Sequence, residues 1–210
     1  MNARLKLTCL SLLRLLQIKT FSVNFFYGPQ SHYMTCNRCL ILGGWLLISN
    51  VVMQSSTPPS QLPVKNSYRG INSDQMVLTK DAINELRTQL SFTQLRFYCS
   101  KQQGRTFHVI TATNSSGEAV VQYFSGQTDI PPASCGSFVR MKNDNSKLAG
   151  GCEKWNNGVW GASLDQDRLY NHAAYVNGAY HWLLYPGGRW ECDDFNVGVS
   201  SGDFWKVFVR

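Results

Sequence analysis

No aspartate or glutamate occurs before Asp74, and the 210-residue chain has only four histidines. The chain also lacks an uninterrupted apolar run of roughly 18 residues, the length that indicates a membrane-spanning helix, and this excludes a polytopic membrane protein. An H-E-x-x-H metal motif and a phosphate-binding glycine loop are absent as well. Hydrophobic residues make up 43% of the chain and aromatic residues 12%. This content can fill the core of one domain, so wholesale disorder is excluded.

The excess of positive charge lies in the N-terminal residues. The formal net charge is +7, but of the 20 basic and 13 acidic residues, five basic and no acidic ones lie in residues 1–56, which leaves 15 basic and 13 acidic. In that remainder, lysine and arginine are scattered singly and do not form the basic stripe that binding to phosphates requires. We therefore expect no nucleic-acid partner.

Residues 39–53 form an apolar run, CLILGGWLLISNVVM, that is preceded by Arg38 and followed by small polar residues. This order is typical of a secretory signal peptide, and we expect residues 1–56 to be a leader. The run is short for a bilayer span, which needs about 20 residues. A single-pass signal anchor is therefore the minority alternative, and an uncleaved leader would be the only contact with a membrane.

The first residues leave two further alternatives open. Met34 is a second candidate start, in which case residues 1–33 are an untranslated stretch or an unusually long prefix. The early residues are also apolar, basic and free of acid, which is typical of an organellar transit peptide. We favour secretion because of the cysteines and the glycosylation sequon described next.

Three of the seven cysteines lie in the expected leader, and the other four are Cys99, Cys135, Cys152 and Cys192. An even set in one compact region of an exported chain predicts two disulfides, for which the sequence leaves three pairings open. Among them we favour Cys135 with Cys152 and Cys99 with Cys192. The first would close a short loop and stabilise the fold by roughly 3 kcal/mol through restriction of the unfolded chain.

Asn114 begins the sequence Asn-Ser-Ser, which is an acceptor sequon for N-glycosylation. It lies in a turn-rich stretch, TNSSGE, where a glycan would be accessible. We therefore expect a secreted glycoprotein with a glycan at Asn114.

Residues 57–94 contain a Pro- and Ser-rich linker followed by a short helix over KDAINELRTQL, with Thr79 as its N-cap. From residue 95 on, short β-branched or aromatic segments between turn residues predict strands. TFHVITA with EAVVQYF, and YHWLLY with WECDDF, predict two hairpins. Ser163 and Gln166 have the spacing of a capping box and predict a second helix. The fold class is therefore mainly β, or α+β as a variant: a single disulfide-stapled antiparallel-sheet domain over residues 95–210 with one or two short helices.

No arrangement of residues points to catalysis. The acids Glu191, Asp193 and Asp194 are weak candidates for calcium ligands, but residues of this kind are more often turn formers, and they lack the spacing of an EF-hand loop. The same acids would serve a secreted hydrolase, the rival function, if two of them met in a cleft. We expect no enzyme activity and no cofactor.

Aromatic residues are dense from Trp155 onward, and most of them are expected in the core. Trp155 and Trp160 differ, because the loop WNNGVWG is polar and contains glycine. We expect these two rings to form an exposed binding surface.

Several stretches of the chain resemble a known module: GRTFHVITATNSSGEAVVQYFSGQTD, PASCGSFVRMKNDNSKLAG, CEKWNNGVWG, YHWLLYPGGRWECDD and SSGDFWKVFVR. They resemble an uncharacterised secreted module of cnidarian extracellular proteins, including skeletal organic matrix-type proteins, in which it can follow EGF-like repeats. The resemblance covers residues 95–210 and implies an extracellular matrix or adhesion role.

A weaker resemblance joins FYCSKQQGRTFHV to the opening strands of fibrinogen-related domains. In that family the counterpart of Cys99 pairs with an upstream cysteine, whereas here only the leader cysteines lie upstream. The calcium-loop pattern of the family is absent too, so none of its ligand-binding residues is carried over.

Together these features predict a non-catalytic extracellular interaction or matrix module that binds a protein or glycan surface. A soluble lectin that uses Trp155 or Trp160 is the second alternative, beside the hydrolase.

Overall fold

The structure is a computed structural model that describes residues 21–27, 30–36, 41–42, 44–72, 74–154, 158–195 and 197–210. Within these residues the chain is rich in β-strands, which form a two-stranded, a four-stranded and an eight-stranded sheet. The strand pairs are antiparallel except for one parallel pair. The predicted mainly β class is confirmed.

The strands are β1 Phe21–Tyr27, β2 Gln30–Cys36, β3 Ile41–Leu42, β4 Trp45–Val52, β5 Val64–Lys65, β6 Met76–Leu78, β7 Leu95–Ser100, β8 Thr106–Thr111, β9 Phe138–Arg140, β10 Val159–Trp160, β11 Ala174–Val176, β12 Ala179–Leu184, β13 Trp190–Asp194 and β14 Phe204–Val209. The α-helices are α1 Lys80–Leu90, α2 Ser115–Phe124 and α3 Lys147–Gly150, and short 3-10 helices cover Tyr68–Gly70 and Cys152–Lys154.

The C-terminal strand β14 lies in the middle of the large sheet. The order of this sheet is β5-β6-β4-β14-β7-β8-β9, with β3 beside β4, and the small sheet has the order β10-β11-β12-β13. Strand β14 pairs with β4 on one side and with β7 on the other. It therefore joins the part of the large sheet that contains β4–β6 to the part that contains β7–β9.

The segment predicted as a signal peptide differs most from expectation. Its residues 45–52 form β4, which pairs with β14 and β6, and the side chains of Leu47 and Ile48 are completely buried. A strand buried on both faces has a continuous apolar sequence, as a signal peptide does. The sheet domain therefore includes residues N-terminal to the predicted boundaries at 56 and 95.

Two local predictions were wrong and one was confirmed. The stretch EAVVQYF was expected as a strand but belongs to α2, which Asn114 caps by accepting a hydrogen bond from the Gly117 N–H. The helix expected after Ser163 is absent: the Ser163 hydroxyl accepts from the Asp165 N–H, but residues 166–170 form only turns. Helix α1 forms as predicted, and Thr79 is its N-cap.

Trp160 was expected on the surface, and this prediction was wrong. The side chain is 1% exposed and its ring lies 4.8 Å from the Phe97 ring. Its Nε1–H donates to the Ser137 hydroxyl at 2.7 Å, which satisfies the one polar group of the indole. The edge strand β10 of the small sheet, and not the glycine-containing loop, determines where Trp160 lies.

Both favoured disulfides are confirmed. Cys99 in β7 is bonded to Cys192 in β13, with the Cα atoms 5.9 Å apart, so this bond joins the large sheet to the small one. Cys135 is bonded to Cys152 and closes a loop that contains β9 and α3. Among the described residues, no helix has the length and apolar character that crossing a membrane would require.

The position of β4 predicts a large effect of a substitution inside the former signal segment. Leu47→Ala should lower the free energy of unfolding by about 2–5 kcal/mol, because it creates a cavity beside β14. The matched control is Val64→Ala on the exposed strand β5, which should stay within about 0.5 kcal/mol of the parent. Urea unfolding of the secreted protein measures both. Equal stability of Leu47→Ala and the parent would mean that this segment is not part of the folded domain.

Candidate functional site

The predicted tryptophan surface does not supply the site. Trp160 is in the core, and Trp155 lies outside the described residues. The search for a site therefore begins at the predicted acid cluster on β13.

All five residues of β13 are buried, and two of its acids bind cations of the protein itself. Asp194 accepts a hydrogen bond from Lys101 Nζ at 2.6 Å. Asp193 accepts hydrogen bonds from the N–H groups of Lys147 and Leu148, at 2.7 and 2.6 Å, and lies 3.2 Å from the Arg105 guanidinium. Burial raises the pKa of both carboxyl groups above the ordinary aspartate value, and the hydrogen bonds oppose part of this increase.

Glu191 is fully buried between the Arg189 guanidinium and the His181 imidazole. Arg189 Nε lies 2.7 Å from Glu191 Oε1. On the other side of the carboxylate, His181 Nδ1 lies 2.7 Å from Glu191 Oε2. The other ring nitrogen of His181, Nε2, donates to the Val176 carbonyl oxygen at 2.7 Å. The two ring nitrogens of His181 therefore face the Glu191 carboxylate and the Val176 carbonyl oxygen.

These contacts assign a structural role to the three acids proposed as calcium ligands or hydrolase residues. Each of Glu191, Asp193 and Asp194 is directed at donors of the protein. The part of the chain that the structure describes contains no group of three or more side chains arranged to hold a metal ion.

A second histidine, His172, lies beside the buried His181. The rings of His172 and His181 are 5.2 Å apart, and His172 is half-buried. Its Nδ1 lies 2.9 Å from Asn171 Oδ1, and the amide nitrogen of Asn171 donates to Asp167, which fixes that oxygen as the acceptor. His172 Nδ1 therefore carries the hydrogen, and its Nε2 is an acceptor that receives no hydrogen bond from the described residues.

The electrostatic setting keeps this imidazole neutral. Burial lowers the pKa of His172 below the ordinary histidine value, the neighbouring His181 lowers it further, and the carboxylate of Glu191 opposes the shift. A neutral His172 retains its acceptor at neutral pH.

Exposed apolar groups border the two imidazoles. Phe195 is 54% exposed, its ring is 6.1 Å from the His181 ring, and the Arg189 guanidinium lies 4.9 Å from its centre. Tyr175 is half-buried, with its ring 5.3 Å from His172. We call this group the imidazole site, and its members are His172, Tyr175, His181, Arg189, Glu191 and Phe195.

The backbone that carries the imidazole site is strained. Among the described residues, four that are not glycine have a positive φ, and three of them lie in or beside the small sheet: His172 at 53°, Tyr180 at 45° and Asp193 at 55°. The register also shifts in the β11–β12 and β12–β13 pairs. Bulges and left-handed residues redirect side chains, and they cluster at functional sites because a surrounding structure must hold them in place.

The imidazole site combines an acceptor nitrogen with aromatic and charged side chains. No hydroxyl or thiol group within the described residues forms a hydrogen bond to either imidazole, so the site lacks the pair of nucleophile and base. One G-x-S-x-G sequence does occur, at Gly198 to Gly202, but Ser200 lies in an irregular segment before β14. A nucleophile elbow needs a strand-turn-helix setting, which this segment does not have.

Sequence reasoning did not find His172, Tyr175, His181, Arg189 or Phe195. A local signal existed, since two of the four histidines lie within ten residues of each other in an aromatic-rich stretch. Their meeting with Glu191 depends on pairing between β12 and β13, which no local pattern shows.

The lowered pKa of His172 predicts a loss of stability on mild acidification. Because the folded chain holds the pKa of His172 below the ordinary value of about 6.5, the unfolded chain binds the proton first, and the free energy of unfolding falls as pH decreases below that value. His172→Asn tolerates the left-handed backbone and does not titrate, so its stability should decrease less between pH 7.5 and 5.5 than that of the parent. Urea unfolding at both pH values measures this, and identical decreases would contradict the assignment.

The chain was compared with known proteins in three ways. No protein-family model and no curated protein matches it. Among solved structures, it is similar to the fibrinogen-like globe domain of human ANGPTL2, with 15% identity, a TM-score of 0.39 and coverage of 96% of this chain and 97% of the other. None of these comparisons supports the resemblance to the cnidarian module. A likeness at this level assigns neither family nor function.

Proposed function

We propose that this protein is a non-catalytic binding module of the extracellular space and that the imidazole site contacts its ligand. One observation carries the proposal: the neutral, half-buried imidazole of His172 keeps an acceptor nitrogen on a strained backbone, and it lies against His181, whose other neighbour is the exposed Phe195 ring. Such a site binds a group that donates a hydrogen bond next to an apolar surface. Hydroxyl groups of a glycan and N–H groups of a protein surface both meet this requirement.

The disulfides support export. Cys99–Cys192 and Cys135–Cys152 pair all four cysteines between residue 95 and the C-terminus, and disulfides of this structural kind persist in oxidising compartments. The leader that we propose ends before β4, so that this strand is retained in the folded domain.

The hydrolase alternative has less support than binding. Two carboxyl groups for acid and base catalysis must meet at a substrate, whereas Glu191, Asp193 and Asp194 have separate cationic partners. A lectin is one form of the proposed module, although its contact residues would be those of the imidazole site and not the buried Trp160.

An N-glycan at Asn114 is a second part of the proposal. Asn114 is exposed, and its Oδ1 caps helix α2 while its Nδ2, the atom that a glycan would modify, makes only a long contact of 3.4 Å to the Gly136 carbonyl oxygen. A glycan on Nδ2 would leave the capping oxygen in place. Cap and glycan are therefore compatible.

The glycan and the cap can be separated by two substitutions. Ser116→Ala destroys the sequon and should remove the glycan mass without loss of stability from the cap. Asn114→Ala should remove the same mass and also lower the free energy of unfolding by about 1 kcal/mol. Mass spectrometry and urea unfolding of protein from a eukaryotic host measure the two effects, and an unmodified Asn114 in the parent protein would contradict the proposal.

The binding proposal is tested with an exposed ring and a matched control. Phe195→Ala should weaken binding to glycan arrays or to panels of extracellular proteins by about tenfold or more, because exposed aromatic rings at a binding surface commonly contribute more than 1 kcal/mol. Ile130→Ala removes a side chain that is 76% exposed elsewhere and should leave binding unchanged. The melting temperatures of both variants should match the parent. Unaltered binding by Phe195→Ala would exclude the imidazole site as the contact surface.

A further inference from the structure

The face of the large sheet that points away from the disulfide carries a second group of aromatic and charged side chains. In β7, Phe97 and Cys99 are fully buried, whereas the alternate residues Arg96 and Tyr98 are half-buried. The same face continues into the neighbouring strands, since Lys206 pairs with Tyr98 and Tyr98 pairs with His108, although the side chains of His108 and Phe208 are themselves buried. We call this group the cation-aromatic face, and its members are Arg96, Tyr98, His108, Phe204, Lys206 and Phe208.

Ring contacts make the face a continuous surface across three strands. The Tyr98 ring stacks on His108 with the centres 4.0 Å apart, and the Phe204 ring meets Tyr98 edge-on at 4.8 Å. The Arg96 guanidinium lies 5.0 Å from the centre of the Phe208 ring, and Lys206 Nζ lies 5.0 Å from that of Phe204. Each cation therefore lies against an aromatic ring.

Neither cation has a carboxylate partner in the described part of the chain. Arg96 Nε donates to His108 Nε2 at 2.8 Å, which requires a neutral imidazole. Burial lowers the pKa of Lys206, with no opposing charge to compensate. Two partly dehydrated cations without an anion are unfavourable, and a carboxylate placed over them would remove this cost.

The carboxylate does not come from this chain's N-terminal part. No acid precedes Asp74, so no residue from 1 to 73 can neutralise the face. Several later acids are already paired elsewhere: Glu118 with Arg87, Asp129 with Arg168, Asp144 with Arg140, Glu191 with Arg189, Asp193 with Arg105 and Asp194 with Lys101. Charge complementarity therefore points to another molecule.

We infer that the cation-aromatic face binds an acidic segment of a partner protein, whose carboxylates lie over Arg96 and Lys206 and whose apolar side chains pack on Tyr98 and Phe204. Arginine and aromatic residues are enriched in protein interfaces, where they contribute much of the binding energy. Strand β9 extends the apolar surface of this face. Its Val139 is 59% exposed and pairs with Ile110, which lies two residues after His108 in β8. Two cations are few for a sulfated glycan, whose regular charges are met by a longer basic stripe.

The test uses the full chain and a random glutamate-tyrosine copolymer as the acidic polypeptide, with heparin and polylysine as comparison probes. Surface plasmon resonance should show binding to the copolymer that weakens with salt. Lys206→Gln should weaken this binding by about threefold to tenfold, in the range of an interfacial charge contact. Lys154→Gln, at an exposed lysine after Cys152, should bind as the parent does.

Three outcomes would overturn the inference. In the first, the copolymer does not bind. In the second, it binds equally to the parent and to Lys206→Gln. In the third, heparin binds more tightly than the copolymer and with the same dependence on Lys206, which would make the face a glycan site. Phe195→Ala serves as a further control. Because the imidazole site lies on the small sheet, removal of the Phe195 ring should not change copolymer binding.

Discussion

Two parallel cross-links between the sheets hold the rest of the structure in place. Cys99 is bonded to Cys192. Lys101 and Asp194, which each follow one of these cysteines by two residues, form a buried ion pair. The lysine is 4% exposed, and its three hydrogens go to Asp194, to the Trp190 carbonyl oxygen and to the Val197 carbonyl oxygen. A buried ammonium with all three donors used is stable only in this arrangement, so the covalent bond and the ion pair reinforce the same docking of β13 on β7.

This docking explains why the candidate site lies on the small sheet. Lys101 holds the carbonyl of Val197 and thereby the loop that presents Phe195. On the opposite face of β13, Glu191 fixes Arg189 and His181. Buried charges contribute little net stability, and left-handed backbone costs stability. The binding role that we propose for the imidazole site would account for a sheet that keeps both and borders them with an exposed ring.

The sequence predicted what depends on local order. Helix α1 with its Thr79 cap and the β12–β13 hairpin follow from short patterns. Counting the cysteines predicts two disulfides, although it leaves their pairing open. Strand β4 was missed because a strand buried on both faces and a signal peptide have the same apolar sequence. Helix α2 was taken for a strand because its valines and aromatic residues favour strands, and the tertiary packing overrides this preference. The meeting of His172 with His181 and Glu191 depends on long-range pairing and bulges, which no single stretch encodes.

Native-state hydrogen exchange on protein secreted from a eukaryotic host tests most directly whether the cross-linked sheets and β4 form one cooperative domain. We predict that amides of β4, β13 and β14 exchange with the same high free energy, and that reduction of the disulfides lowers all three together. Residues 45–52 that are missing from the secreted chain, or that exchange as fast as an unstructured peptide, would contradict the account.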